Sequence, residues 1–116
     1  MKNKLKKAKD LLQEAEAELK KYKFTKNFTY SSQACEKCWV ACNLIIEQKA
    51  GIELRTGSIE GVMPYAEKVG MANITQACFT LHVYHYEGSQ AYSEKDLIYS
   101  LKNAITTLRK KSGGTN

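Results

Sequence analysis

The sequence predicts an all-α fold: an antiparallel four-helix bundle with a short extra helix in the connection between helices 2 and 3. Three observations carry this. Apolar residues recur at spacings of three and four along most of the chain. Capping residues and glycines fall where such helices have to start and stop. The 116 residues hold one proline and are rich in Leu, Ala, Lys and Glu, with no strand of any length and no internal repeat. A chain of this length fits one domain around one core, taken as residues 1–111, with 112–116 as a disordered C-terminal tail.

Leu5, Ala8, Leu11/Leu12, Ala15, Leu19 and Tyr22 define the first amphipathic helix, which should end near Lys23–Thr25. Asn27 is placed to cap the second helix, and Gly51 follows as its stop. On that helix Cys35, Cys38, Cys42, Ile45 and Lys49 share a heptad seam, with Trp39 and Ile46 on the neighbouring stripe. Residues 52–72 are punctuated by Gly57, Gly61 and Gly70, and Pro64 suits the first turn of a short helix through Tyr65–Val69. Asn73-Ile74-Thr75-Gln76 reads as a capping box opening the third main helix, whose core positions are Ile74, Ala77/Cys78, Leu81 and His85 and whose stop is Gly88. Ser93-Glu94-Lys95-Asp96 opens the last helix, which buries Leu97, Leu101, Ala104/Ile105 and Leu108 and ends on Lys110 and Lys111. Two long helices followed by a shorter pair leave part of the first hairpin uncovered, which points to a homodimer.

The formal charge of +6 resides at the two ends. Residues 1–26 hold nine lysines against four acids, residues 101–116 four basic residues and no acid, and residues 27–100 five basic residues against eight acids. Such ends fit a nucleic-acid face. They equally fit solvated helix surface, and the lack of an arginine cluster or of interleaved arginines and aromatics favours that plainer reading. No apolar run approaches the roughly 18–20 residues that span a bilayer. Acids at Asp10, Glu14, Glu16 and Glu18 interrupt any signal-like core, so a cytoplasmic protein without membrane association is expected.

Cys35, Cys38 and Cys42, with Cys78 on another helix, are a candidate four-thiolate metal set. Structural all-cysteine zinc sites are usually built from turns and ribbons rather than one helix seam. Free cysteine packs as a small hydrophobe, so core packing around Trp39 is the expectation, and no cofactor is assigned. His82 and His85, one turn apart and following Cys78, are chemically able to bind a transition metal or to serve as acid and base near neutral pH. The simpler alternative is hydrogen bonding at the bundle end involving Glu87, Tyr84 or Tyr86. No phosphate loop, nucleophile elbow or zinc-finger spacing is present.

Gln33-Ala34-Cys35-Glu36-Lys37-Cys38-Trp39-Val40-Ala41-Cys42 leading to Lys49-Ala50-Gly51, together with Leu81-His82-Val83-Tyr84-His85-Tyr86-Glu87-Gly88, resembles the HEPN-like helical-bundle superfamily, in particular its small archaeal branch. In that branch the second segment resembles Leu-His-x-x-x-Tyr-Glu-Gly. The resemblance covers nearly the whole chain and implies a four- to five-helix bundle, usually dimeric. It also implies either a ribonuclease of toxin–antitoxin or defence systems, or a non-catalytic nucleotide- or RNA-associated module. Active members carry Arg-x4–6-His. Here the only arginines, Arg55 and Arg109, have no histidine at that spacing, so the catalytic signature does not carry over.

The reading is therefore a non-enzymatic helical module that binds another protein or a nucleotide-containing ligand. His82, His85, Tyr86, Glu87 and Trp39 are its ligand-cleft candidates, and none is assigned a catalytic role. Expected associations are a homodimer, a protein partner such as a nucleotidyltransferase-like protein, and RNA or a nucleotide. The competing readings are an unconventional ribonuclease using His82 and His85, and a metal-binding bundle using the cysteines and histidines.

Overall fold

Capping chemistry and buried anchors set the ends of five helices. The computed structural model describes residues 2–55, 57–88 and 92–113, and among these there is no strand. The helices are α1 (Lys2–Thr25), α2 (Phe28–Ala50), α3 (Ile59–Lys68), α4 (Ala72–Glu87) and α5 (Glu94–Lys111). Between α1 and α2 the chain reverses through Lys26, at φ 59°, and Asn27, whose side chain accepts from the Thr29 N–H. Gly51, at φ 69°, closes α2 by donating to the Glu47 carbonyl, a left-handed position that disfavours a Cβ. Ser93 caps α5 by accepting from the Asp96 N–H, with Glu94 and Asp96 in the first turn as the helix dipole favours.

Two helix starts differ from the sequence expectation. Helix α3 begins at Ile59, capped by Ser58, so Pro64 lies inside it rather than in its first turn. The buried pair Val62 and Ala66, one turn apart, holds this earlier start, while Pro64 itself faces outward. Helix α4 begins at Ala72, and Asn73 does not cap it. Met71 takes the cap position because it is buried: its N–H donates to the Ala66 carbonyl at 2.7 Å and its carbonyl accepts from Thr75 at 2.9 Å. Apolar anchoring overrides the capping box there.

The four long helices neighbour one another in order, α1 beside α2, α2 beside α4, α4 beside α5, and α5 beside α1, with α2 also packed directly on α5 across the centre, while α3 leans on α4 and α2. Leu12, Ile45, Ile46, Leu81, Leu101 and Leu108 fill the centre, each fully buried and each stabilising the fold by about 1.5–3 kcal/mol. The α2 seam closes at Ile45 and Ile46, and Lys49 is exposed. On α4 the buried stripe is Thr75, Cys78, Leu81 and Tyr84. Ala77 is therefore exposed, and Tyr84, not the half-buried His85, occupies the core. The stripe advances by threes because α4 faces α2 and α5 at once.

Ser112 is buried and its hydroxyl donates to the Arg109 carbonyl at 2.7 Å. Gly113 of the expected tail donates its N–H to the Lys110 carbonyl at 3.2 Å, and residues 114–116 lie outside the described residues. Among the described residues, no helix is long and apolar enough to cross a membrane.

Candidate functional site

Helices α2 and α4 run antiparallel, and their facing side chains pair in order. Cys42 meets Thr75, Glu36 meets His82, and Ser32 meets His85. The central rung is the informative one. His82 Nδ1 lies 2.7 Å from Glu36 Oε1. A carboxylate only accepts, so Nδ1 carries the hydrogen and donates, which leaves Nε2 as the free nitrogen.

Aromatic packing fixes the same ring. Trp39 stacks on His82 with centroids 5.3 Å apart and planes 27° apart. Tyr86 meets it edge-on at 4.9 Å and 88°. Phe79 in turn packs against the edge of Trp39 at 5.7 Å. Trp39 is 4% exposed and forms a floor, whereas Tyr86 is 74% exposed and offers a ring to solvent.

A cavity of about 550 Å³ opens over this group, with Glu36, Asn43, Glu47 and Arg55 among its walls. That volume lies within the range of small-molecule pockets. Its outer wall is the stretch after α2. The Leu54 N–H donates to Glu47 Oε2 at 2.7 Å. Lys4 of α1 ties the same carboxylate, at 3.4 Å, to the Ile52 carbonyl, at 3.5 Å. This tether carries Arg55 to the pocket rim, where its exposed guanidinium has no ion pair among the described residues. Asn43 spends its amide N–H on the Trp39 carbonyl at 2.8 Å, turning its oxygen free to accept. The pocket thus offers an exposed ring, a cation and several acceptors around one oriented imidazole.

Of the five cleft candidates, Trp39, His82 and Tyr86 meet here. His85 does not line the pocket: its Nδ1 lies 2.6 Å from the Ser32 hydroxyl and 3.1 Å from the Ser32 carbonyl. Glu87 is exposed at the last residue of α4 and is likewise outside the pocket. The histidines' hydrogen-bond partners come from α2, not from Glu87, Tyr84 or Tyr86, although the Tyr86 ring packs on both imidazoles. Sequence reading missed Glu36, Asn43, Glu47 and Arg55. Glu36 and Asn43 flank Trp39 at helical spacings, a signal that acquires meaning once α4 is known to face α2.

The cysteines are all free and buried. Burial pushes the Cys38 thiol up to about 12 and Cys35 higher still. Cys78 is raised by its hydrogen bond to Cys42 and by burial. Cys42 Sγ also lies 3.5 Å from the Thr75 hydroxyl. Among the described residues, no group of three or more His, Cys, Asp or Glu is arranged to hold a metal ion. Cys35, Cys38, Cys42 and Cys78 all belong to the buried core cluster.

Comparison of the chain with known protein families, with curated proteins and with solved structures finds no match.

Proposed function

We propose that this chain is a non-catalytic, HEPN-like helical module that binds a nucleotide in the α2–α4 pocket and works as a homodimer alongside a protein partner. The single observation carrying the ligand is the pocket itself: an imidazole oriented by Glu36 and Trp39, with the exposed Tyr86 ring and the unpaired Arg55 facing the same space. A nucleobase is a flat π surface that stacks on an exposed aromatic at about 1–3 kcal/mol. Its phosphate suits a guanidinium fork. Asn43 and Glu36 supply acceptors for base amino groups.

Trp39 is the only tryptophan, so its fluorescence reports on this pocket alone. Titration with the four nucleoside monophosphates should change that emission saturably for at least one. Tyr86→Ala should weaken binding about tenfold, and Arg55→Ala should remove the preference for nucleotide over nucleoside. Emission unmoved by all four ligands at millimolar concentration contradicts the reading.

A second reading has one observation in its favour. A carboxylate-oriented histidine beside an arginine is an acid–base constellation suited to phosphodiester cleavage. With His85 committed to Ser32, it would run on His82 and Arg55. It requires RNA cleavage that His82→Ala abolishes and His85→Ala spares; cleavage lost equally in both, or in neither, counts against it.

A further inference from the structure

The wall of the bundle opposite the pocket carries a different chemistry. The pocket lies between α2 and α4, and the order of the helices puts α1 and α5 across from it. Two contacts fix how α1 and α5 lie together. Lys26 pairs with Glu94 at one end, and Arg109 donates to Glu16 at 2.8 Å toward the other, so the helices are antiparallel.

Helical spacing then sorts the side chains. On α1, Lys9, Lys20 and Lys23 fall on the side of Glu16, the side that meets α5. On α5, Lys95, Lys102 and Lys110 fall on the outward stripe, away from the buried line Leu97, Leu101, Ala104 and Leu108. All six lysines are exposed, and none has an ion pair among the described residues. The acids on this wall are Glu16, held by Arg109, Glu94, paired with Lys26, and the exposed Asp96 in the first turn of α5, so the acids lie toward the start of α5 and at the Arg109 pair. The other α1 acids are used elsewhere: Glu14 and Glu18 by Lys37 on the α2 side, and Asp10 by Lys6. Two aromatics sit among the lysines with no packing role to explain them. Phe24 is 91% exposed one residue beyond Lys23, and Tyr99 is 67% exposed between Lys95 and Lys102 on the outward stripe of α5.

We infer that the α1–α5 wall is a binding surface for single-stranded nucleic acid. Lysines without acid partners attract a phosphate chain, and exposed rings spaced among them accept unstacked bases, which is the combination that sequence-tolerant single-strand binders use. A duplex keeps its bases stacked and gives Phe24 and Tyr99 nothing to meet. A membrane surface fits less well, because the apolar stripes of α1 and α5 face the core and leave two isolated rings rather than an insertable face. The sequence offered the two basic ends as a nucleic-acid face without joining them; they and the two rings come together when α5 returns beside α1.

The test is fluorescence anisotropy of labelled oligouridylate and oligodeoxythymidylate of about twelve nucleotides, with the full chain and across a salt series. The logarithm of affinity should fall linearly with the logarithm of salt, by about 0.7 per phosphate engaged. Lys20→Glu with Lys102→Glu should weaken binding by tenfold or more at low salt and flatten that slope. Phe24→Ala with Tyr99→Ala should weaken binding roughly fivefold or more and leave the slope unchanged, because stacking is not ionic. Arg55→Ala, in the pocket, should leave strand affinity untouched, which separates this surface from the nucleotide reading. All five positions are exposed, and circular dichroism checks that the fold is kept. The inference is overturned by absence of binding at low salt, by binding indifferent to the lysine reversals, by binding that the aromatic pair does not alter, or by binding lost in Arg55→Ala. Affinity for phosphatidylserine vesicles without affinity for either strand overturns it in favour of a membrane surface.

Discussion

His82 Nδ1 donates to Glu36 Oε1 across the α2–α4 seam at 2.7 Å, and Trp39 stacks on the same imidazole. One hydrogen bond and one ring contact fix the tautomer and the plane of His82. Its partners on α2 are spaced by three, so Glu36 and Trp39 share a stripe that runs beside the cysteine seam, with Trp39 on the side nearer the core. The pocket is therefore an outgrowth of the core, rigid on the helix side and walled by the tethered segment after Gly51.

Removing the carboxylate should loosen that ring. Glu36→Ala is expected to lower stability by about 1 kcal/mol and to weaken nucleotide binding, whereas Gln33→Ala, on the exposed side of the same helix, should do neither. Urea unfolding with a parallel ligand titration reads both quantities.

The tether can be cut independently. Glu47 holds the Leu54 N–H and Lys4, so Glu47→Ala should free the segment that carries Arg55. The expected signature is faster limited proteolysis after α2 with the helices themselves still protected. Unchanged proteolysis would show that the tether does not restrain the segment.

The thiols give a sharp chemical expectation. Burial keeps Cys38 at about 12 and raises Cys35 and Cys78, so native protein at pH 8 holds almost no thiolate at these positions. Hydrogen bonds from Cys78 and Thr75 lower the Cys42 thiol instead, but its full burial keeps reagent away, so a thiol-exchange reagent should label none of the four cysteines within minutes in the native state and all four in denaturant. Rapid native labelling of Cys38 would contradict its core position.

The Glu16–Arg109 pair makes stability depend on pH in a defined direction. The hydrogen bond from Arg109 lowers the Glu16 carboxyl below its ordinary 4.5. A depressed folded-state value means the contribution is fully present above about pH 4.5 and is lost as pH falls through the lower folded value. Glu16 is 43% exposed, so solvent screens the pair and its worth is about 0.5 kcal/mol. The stability gap between wild type and Glu16→Gln should be of that size at pH 7 and should close in strong acid.

Helix content and most ends were legible because local chemistry decides them: Asn27, Gly51, Gly88 and Ser93 act where they stand. The start of α4 was not, because burial of Met71, a tertiary effect, outcompetes the capping box at Asn73. On α4 Cys78 and Leu81 are buried as read, but the stripe ends on Thr75 and Tyr84 rather than on Ile74 and His85, because a helix packed between α2, α3 and α5 buries a stripe that no single heptad describes. Three of the five cleft residues converge, since Trp39, His82 and Tyr86 occupy facing turns. Arg55 was invisible as a pocket residue, because its place depends on the Glu47 tether rather than on any periodicity.

The most direct test of the pocket is the pair of imidazole Cε1–Hε1 signals in an NMR titration with nucleoside monophosphates. The two histidines are placed differently, because His82 lines the pocket while His85 is held by Ser32 outside it and meets the pocket only through its edge-on contact with Tyr86 at 5.5 Å. The account predicts that the His82 signal moves saturably with ligand and by more than the His85 signal, and that Arg55→Ala weakens the response. A His85 signal that moves while His82 stays fixed, or two signals that ignore every nucleotide, would contradict it.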